Sequence, residues 1–165
     1  MVMDILAAQL GGLLKAHGLM LATAESCTGG GVAEAITAVA GSSGWFERGF
    51  VTYSNLSKQQ MLGVSEATLA QYGAVSEAAV REMVSGALTH SAAGIALSVS
   101  GIAGPDGGTP DKPVGTVWFA WGIKNSAVHA QRHQFAGNRA EVRSHAVRIA
   151  LQGLMDLLNR RTETA

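Results

Sequence analysis

The sequence predicts an α/β fold, a three-layer α/β/α sandwich built around a mixed, mostly parallel sheet. Three observations support this prediction. Short apolar runs alternate with amphipathic helical segments, turns rich in glycine or serine separate them, and two strand-like runs follow one another before the last helix. Alternating strands and helices favour parallel pairing, whereas the two consecutive strands favour a hairpin. The 165 residues are expected to form one domain, 1–165, with a sizeable core.

The amino-terminal half begins with a helix and then alternates strands and helices. Leucines and an isoleucine lie on one face of a helix at residues 4–17, which Gly18 ends, and the apolar residues 19–24 form a buried strand. The elements predicted next are a helix at 30–39, a loop at 41–44, a strand at 49–54, a helix that Asn55 would cap and that runs to Leu62, and a helix at 65–71 ended by Gly73.

The carboxyl-terminal half is predicted to contain the hairpin between two long helices. The elements are, in order, a helix from its cap Ser76 to about Ala92, a buried strand at 95–99, a Gly/Pro loop at 100–113, strands at 114–121 and 127–135 joined by a turn at 124–125, and a helix to about Arg160. Asn138 opens this last helix and, with Glu141 three residues later, resembles a capping box.

Composition and charge argue against several classes of function. Lys plus Arg and Asp plus Glu number 12 each, so net charge gives no reason to expect a nucleic-acid or membrane partner. No apolar run reaches the length of a membrane span, and an amino terminus without a basic start does not resemble a signal peptide. Cys27, the single cysteine, cannot form an internal disulfide and favours a reducing compartment. We therefore expect a cytoplasmic protein, and we also expect a homo-oligomer.

Ser26 lies in the most informative segment of the chain, Ala24 to Gly31, where an apolar run changes into a helix-like run. On such a turn a hydroxyl can project from the carboxyl end of a sheet, and glycines let a substrate approach the backbone. N–H groups of the first helical turn can bind a phosphate or an oxyanion. The alternative is purely structural, because serine and threonine are preferred helix caps.

Two further polar loops also follow predicted strands. One runs from Tyr53 to Lys58, and the other, rich in glycine, runs from Ser100 to Gly108. If the three strands are parallel, these loops and the Ser26 turn meet at one edge of the sheet, where open α/β folds build their pockets. The glycine-rich loop lacks a Walker A ending, but its amides can still face a phosphate. The alternative is a surface loop shaped by glycine and proline.

Several side chains in these segments have both a chemical and a structural interpretation. A desolvated Lys58 with a lowered pKa could take a proton from Ser26, although a solvated helix lysine is the commoner outcome. Tyr53 could orient Lys58 or a substrate, or pack on the core. Arg139 and Arg143, one turn apart at the start of the last helix, could clamp an anion, although surface arginines are the default.

Cys27, Asp106 and two histidines complete the set of candidates. Cys27 is an alternative nucleophile beside Ser26, although a buried inert thiol is more common. Asp106 could contact a ribose or shape its turn. His129 and His133 would face one side of a predicted strand, but no third ligand accompanies them. Neither a metal nor another cofactor is therefore expected.

Five motifs of the chain resemble those of the CinA carboxy-terminal domain family, in order and over nearly the whole chain. They are Ala24–Gly30, Thr52–Asn55 with Lys58, Gly73–Ser76, Ser100–Gly108 and Lys112–Val117. Members of this family are nicotinamide-nucleotide amidohydrolases. The resemblance implies hydrolytic deamidation of nicotinamide mononucleotide to nicotinic acid mononucleotide and ammonia, within pyridine nucleotide salvage.

The family is understood to use a serine and a lysine. The resemblance implies Ser26 as the nucleophile, Lys58 as its general base and Tyr53 as support for the lysine and the pocket. It further implies substrate-binding roles, with oxyanion donors at Thr28, Gly29 and Gly30, a nucleotide-pocket wall at Ser100, Gly101, Ala103 and Gly104, and a phosphate contact from Arg139 or Arg143.

Three other functions fit the same motifs. A nucleotide-binding module without catalysis would use the same glycine loops and arginines. A cysteine hydrolase would use Cys27, and a structural or partner-binding protein would use the turns merely as helix caps. Ammonia release from nicotinamide mononucleotide distinguishes the enzyme from the two proteins without catalysis.

Overall fold

The computed structural model describes residues 2–164, with side chains for 3–161, and over that range the chain forms six α-helices and five β-strands. In chain order the elements are α1 (Val2–Ala16), β1 (Leu21–Glu25), α2 (Gly31–Thr37), β2 (Phe46–Val51), α3 (Asn55–Leu62), α4 (Glu66–Tyr72), α5 (Glu77–Thr89), β3 (Ile95–Gly101), β4 (Thr116–Ile123), β5 (Val128–Gln134) and α6 (Arg139–Thr164). None of the helices between residues 2 and 164 is both long enough and apolar enough to cross a membrane.

The strands form one sheet in the order β2–β1–β3–β4–β5. β1 pairs in parallel with β2 and β3, whereas β4 pairs antiparallel with β3 and with β5. Four of the five strands therefore run in one direction, and β4 runs against them. The predicted α/β fold, its mixed sheet and its hairpin are confirmed. The parallel strands β2, β1 and β3 bring their carboxyl ends to the same edge of the sheet.

Helices cover both faces of the sheet, which gives the predicted three layers. α1, α2 and α6 pack on one face against large strand side chains such as Leu97 and Phe119. α5 packs on the other face over small residues such as Ala96 and Ala120, and α3 and α4 pack against α5. Strict alternation of side chains along each strand separates the two kinds of face.

Two local features fix α3, the helix that carries Lys58. Its N-cap is Ser54, whose hydroxyl accepts the Ser57 N–H at 3.1 Å while the Ser57 hydroxyl accepts the Ser54 N–H at 3.1 Å. The prediction that Asn55 caps this helix is therefore wrong by one residue, because Ser54 has the reciprocal partner three positions later. Gly86 of α5 permits close packing, since a Cβ there would collide with the backbone of α3.

Element boundaries differ from the predictions by a few residues. β2 ends at Val51 instead of continuing to 54, so residues 52–54 form the loop that leads into α3. The predicted capping box of α6 is confirmed, since the Glu141 N–H donates to Asn138 Oδ1 at 2.9 Å and the Asn138 N–H donates to the Glu141 carboxylate at 3.0 Å. This cap sets the start of α6 beside the carboxyl edge of the parallel strands.

Candidate active site

The three polar loops surround a cavity of about 290 Å³ at the carboxyl edge of the parallel strands. The sequence-predicted residues in its wall are Ser26, Cys27, Tyr53, Lys58, Ser100, Gly101, Ala103, Gly104, Asp106 and Arg139. The turn between α4 and α5 supplies the opposite wall with Ala74 and Val75. Candidate residues that lie up to 113 positions apart in the sequence, Ser26 and Arg139, therefore share one concave site.

Ser26 and Lys58 are in hydrogen-bond contact inside this site. Lys58 Nζ lies 2.9 Å from Ser26 Oγ, and it donates to the Thr52 carbonyl oxygen at 2.7 Å. Ser26 is 8% exposed and Lys58 is 1% exposed, so both polar ends are almost completely removed from bulk water. A nucleophile and a base within this distance meet the geometric requirement for proton transfer between them.

Burial alters the acidity of the Lys58 ammonium. Removal from water disfavours the charged form and lowers the pKa of Lys58 from 10.5 to about 8, while the nearby Cys27 acts weakly in the opposite direction. A sizeable fraction of the side chain is then neutral near physiological pH, as a general base requires. A solvated helix lysine, the alternative interpretation of the sequence, does not describe this residue.

Cys27 also reaches the cavity wall but is poorly suited to act as a nucleophile. Its side chain is 6% exposed, and burial, with a smaller effect of the nearby Glu25 charge, raises the pKa of the thiol to about 11. The thiolate is the reactive form of cysteine, and this pKa keeps Cys27 protonated at neutral pH. The two neighbouring candidates thus differ in their surroundings, and those of Ser26 favour reactivity.

Arg139 joins two walls of the cavity at its rim. Its guanidinium donates to the Gly104 carbonyl oxygen at 2.9 Å and to the Tyr53 hydroxyl at 3.1 Å. Tyr53 is 62% exposed, and its hydroxyl contacts Arg139. The expected support of Lys58 comes instead from the Thr52 carbonyl oxygen. A guanidinium at the open end of the site is well placed to bind an anionic group of a ligand.

Thr28, Gly29 and Gly30 belong to the Ser26 turn and Arg143 contacts it from α6, and none of the four lines the cavity. The Gly29 N–H donates to the Ser26 carbonyl oxygen at 3.0 Å. Arg143 donates to the carbonyl oxygens of Cys27 and Thr28 at 3.1 and 3.2 Å. These contacts hold the turn, and the predicted oxyanion and phosphate roles of the four residues stay predictions.

Two contributors to the site escaped sequence reasoning. The Thr52 carbonyl oxygen has no signature, because a backbone acceptor is present at every position. Glu25 has one: an acidic residue at the end of an otherwise apolar strand, just before a helix. A buried carboxylate needs donors, and the amino terminus of the following helix supplies them.

The two histidines lie on β5, away from the cavity. The His133 ring stacks on Phe135 with centroids 5.5 Å apart, and burial lowers the pKa of His133. Within residues 2–164 the structure brings no three His, Cys, Asp or Glu side chains together as a metal site.

Comparison with known proteins points to one family. The family model described as the CinA C-terminal domain matches residues 3–158. A relative from Escherichia coli strain K12, named nicotinamide-nucleotide amidohydrolase PncC, is 58% identical over 149 residues, which cover 90% of either chain. A Pseudomonas putida protein of the same name is 56% identical over 152 residues, or 92% of this chain and 94% of the relative.

A solved structure is similar over nearly the whole fold. The competence/damage inducible protein CihA from Agrobacterium tumefaciens superimposes with a TM-score of 0.92 at 45% sequence identity, covering 95% of each chain. At this identity the likeness concerns the family as well as the architecture.

Proposed function

This chain belongs to the CinA C-terminal domain family, and we propose that it is an amidohydrolase that deamidates nicotinamide mononucleotide by a serine–lysine mechanism. The products are nicotinic acid mononucleotide and ammonia, so the enzyme would act in pyridine nucleotide salvage, in the cytoplasm. The names of the relatives from Escherichia coli and Pseudomonas putida support the substrate. The observation that carries the mechanism is the buried contact of 2.9 Å between Lys58 Nζ and Ser26 Oγ.

Acylation begins with a neutral Lys58. Its lone pair accepts the Ser26 hydroxyl proton while Ser26 Oγ attacks the carboxamide carbon, and a tetrahedral oxyanion forms. The Thr52 carbonyl oxygen holds the neutral amine through one N–H, so that its lone pair can face the Ser26 hydroxyl. When the C–N bond breaks, Lys58 returns the proton to the departing nitrogen, which leaves as ammonia.

Deacylation uses the same groups with water as the nucleophile. Lys58 takes a proton from water, the hydroxide attacks the acyl carbon, and Ser26 leaves with the proton that Lys58 held. The net reaction consumes one water molecule and needs no metal or organic cofactor. We assign the Cys27 N–H to the oxyanion, because the residue after a nucleophile on such a turn commonly provides this donor.

The rim of the cavity suits the nucleotide part of the substrate. We propose that Arg139 binds the phosphate and that the backbone from Ser100 to Gly104 lines the ribose. Arg139 already spans the two sides of the opening through Gly104 and Tyr53, so an incoming phosphate would replace or join these contacts. The cationic pyridinium ring withdraws electrons and makes the carboxamide more reactive toward Ser26.

Ammonia release provides the decisive experiment. Purified protein is incubated with nicotinamide mononucleotide, and ammonia and nicotinic acid mononucleotide are measured together. We expect the two products in equal amounts from the wild type and none from Ser26→Ala. A protein that binds the nucleotide and releases no ammonia would be a binding module instead of an enzyme.

A further inference from the structure

Two residues that do not line the cavity hold the Ser26 turn from behind. They are Glu25, the last residue of β1, and Arg143, near the start of α6. We propose that Glu25 and Arg143 are positioning residues that fix Ser26 Oγ against Lys58. This inference rests on the proposed function for its kinetic readout, but it concerns different residues from those that carry out the reaction.

Glu25 connects the end of β1 to the start of α2 through its side chain. The carboxylate is 1% exposed and accepts the N–H groups of Val32 and Ala33 at 2.8 and 3.0 Å. It also accepts the Thr28 hydroxyl at 2.5 Å. Three donors at a helix amino terminus satisfy a buried carboxylate, and the helix dipole favours its negative charge. The residues between Glu25 and Val32, which include Ser26, are therefore closed into a fixed turn.

Because the Glu25 carboxylate occupies the amino terminus of α2, an oxyanion has to bind elsewhere. The first N–H groups of a helix are the usual anion site of a strand–turn–helix segment. In this chain the Val32 and Ala33 N–H groups donate to the Glu25 carboxylate, so α2 uses this site for its own architecture. The Glu25 carboxylate thus fixes the position of the turn. Groups on the cavity side of the turn stabilise the oxyanion.

Arg143 holds the same turn through its carbonyl groups. Its guanidinium Nε donates to the Cys27 oxygen at 3.1 Å and one terminal nitrogen donates to the Thr28 oxygen at 3.2 Å. Gly29, with a φ of 58°, lets the chain reverse here, and a Cβ at this position would lie 3.5 Å from the same terminal nitrogen. Glu25 therefore binds N–H groups and Arg143 binds C=O groups of one short turn.

The need for such a clamp follows from the reaction geometry. Lys58 is fixed by the Thr52 carbonyl oxygen, so the 2.9 Å contact depends on where the turn places Ser26. A displacement of about 1 Å at a reacting group costs about 10²-fold in rate. Loosening the turn should therefore lower the rate of acylation while leaving the nucleotide-binding rim intact.

The experiment compares two variants with two matched controls. Glu25→Gln replaces one acceptor oxygen by an NH₂ group that faces helix N–H donors, and Arg143→Lys removes the two-pronged contact. Glu34→Gln in α2 and Arg148→Lys in α6 make the same changes at exposed positions. Thr28→Val, which removes a single donor to Glu25, provides a milder variant should Glu25→Gln fail to fold, as judged by circular dichroism.

We expect kcat to fall about 10- to 100-fold in Glu25→Gln and Arg143→Lys, with KM within about 2-fold of wild type. The kcat of Thr28→Val should fall several-fold, and the kcat of the two control variants should not change. The rate at which a fluorophosphonate reagent labels Ser26, measured per folded molecule, should fall by the same factors. The pH midpoint of kcat/KM should stay in place, because Lys58 keeps its surroundings.

Other outcomes would overturn the inference. A raised KM with an unchanged kcat in Arg143→Lys would identify Arg143 as a phosphate ligand. Fewer active sites with a normal rate per site would mean that the clamp serves stability alone. Equal labelling in wild type and variants would refute positioning even if the substrate assignment failed. A wild type that neither labels nor releases ammonia would remove the proposed function and this inference together.

Discussion

The parallel and antiparallel halves of the sheet use their strand ends differently. β2, β1 and β3 leave the sheet through polar loops at one edge, and these loops place Ser26, Lys58 and Ser100 around one cavity. β4 and β5 are joined by a tight turn, with Asn125 at a φ of 64°. This turn lies at the opposite edge of the sheet, because β4 runs against its neighbours, so it does not reach the cavity.

The antiparallel half contains the two histidines that the sequence offers as possible metal ligands, His129 and His133. Trp121 and His133 are used for packing: Trp121 stacks on Phe119 with centroids 5.8 Å apart, and Phe119 meets His133 edge-on at 5.4 Å. The parallel half relies on a serine and a lysine, both common surface residues. The comparison teaches that burial and placement at a strand end, more than residue type, identify the reactive groups.

Removal of the proposed nucleophile should have the largest effect on activity. We expect Ser26→Ala to lower kcat/KM by about 10³-fold or more, since covalent catalysis is lost and binding remains. Cys27→Ala is the neighbouring control and should retain most of the activity, because the pKa of its thiol, about 11, keeps it protonated. Steady-state ammonia release measures both. An active Ser26→Ala protein would end the assignment.

Lys58 tests whether the parallel half supplies a base or only a charge. Lys58→Arg keeps the positive charge but cannot lose its proton, so kcat/KM should fall about 10² to 10⁴-fold. In the wild type, kcat/KM should rise with pH as Lys58 deprotonates around its pKa of about 8. A variant with most of the wild-type rate would show that Lys58 acts only electrostatically and that the base lies elsewhere.

The same lysine should leave a signature in stability. Its pKa falls from 10.5 to about 8 on burial, so between these values the unfolded chain binds more protons than the folded protein. Raising the pH through this window therefore stabilises the folded state, by an amount of about 3 kcal/mol over the full range. Below pH 8 the whole cost of burying the ammonium is present.

Lys58→Met removes this titration and serves as the reference. Urea unfolding of both proteins at several pH values between 7 and 10.5 gives the difference in the free energy of unfolding. We expect the free energy of unfolding of the wild type to increase relative to that of Lys58→Met as the pH rises, whatever the difference between the two proteins at pH 7. A constant difference would mean that Lys58 titrates normally and is better solvated than its 1% exposure indicates.

The sequence was sufficient for the architecture because its signals are local. Apolar runs, glycine turns and the Asn138 capping box predicted the elements, and strand–helix alternation predicted parallel pairing. The boundary of β2 was less predictable. Thr52 continues an apolar strand pattern, yet it lies in the loop, where its carbonyl oxygen holds Lys58. No side-chain pattern encodes the direction of a carbonyl group.

The sequence predicted which residues form the site better than it predicted the role of each one. Arg139 and Arg143 are indistinguishable by type and by spacing, yet Arg139 reaches the cavity rim and Arg143 binds the back of the turn. The two share one face of α6 but lie about 6 Å apart along its axis, so Arg139 meets the cavity rim and Arg143, one turn further on, meets the Ser26 turn. Glu25 had no predicted role, although an acidic residue at the end of an apolar strand just before a helix is a local signal, and its donors Thr28, Val32 and Ala33 follow within eight residues.

Arg139, at the rim of the cavity, is the proposed phosphate ligand. If it binds the phosphate, Arg139→Ala should raise KM for nicotinamide mononucleotide about 10- to 100-fold, the usual effect of losing hydrogen bonds to a charged group. KM for nicotinamide riboside, which lacks the phosphate, should hardly change. Arg148→Ala, an exposed position on the same helix, is the control. An equal loss with both substrates would place the role of Arg139 in the wall of the site, through Gly104 and Tyr53.

The smallest effect is expected in the antiparallel half. His129→Ala and His133→Ala should leave kcat/KM within about 2-fold of wild type, since neither side chain lines the cavity. His133→Ala should lower the free energy of unfolding by about 1 kcal/mol, because its ring loses contacts with Phe119 and Phe135. Enzyme assays and urea unfolding on the same preparations separate the two effects.

Chelation completes the test of that half. Two histidines without a third ligand make a weak metal site, and the proposed serine–lysine reaction needs no metal, so exhaustive dialysis against a chelator should leave ammonia release unchanged. The histidine variants dialysed in parallel distinguish a metal bound at β5 from one bound elsewhere. Activity that the chelator removes and a divalent ion restores, in the wild type but not in His129→Ala, would transfer part of the chemistry to the antiparallel half. Residue type would then identify the reactive groups better than burial and placement at a strand end, and the contrast between the two halves would not hold.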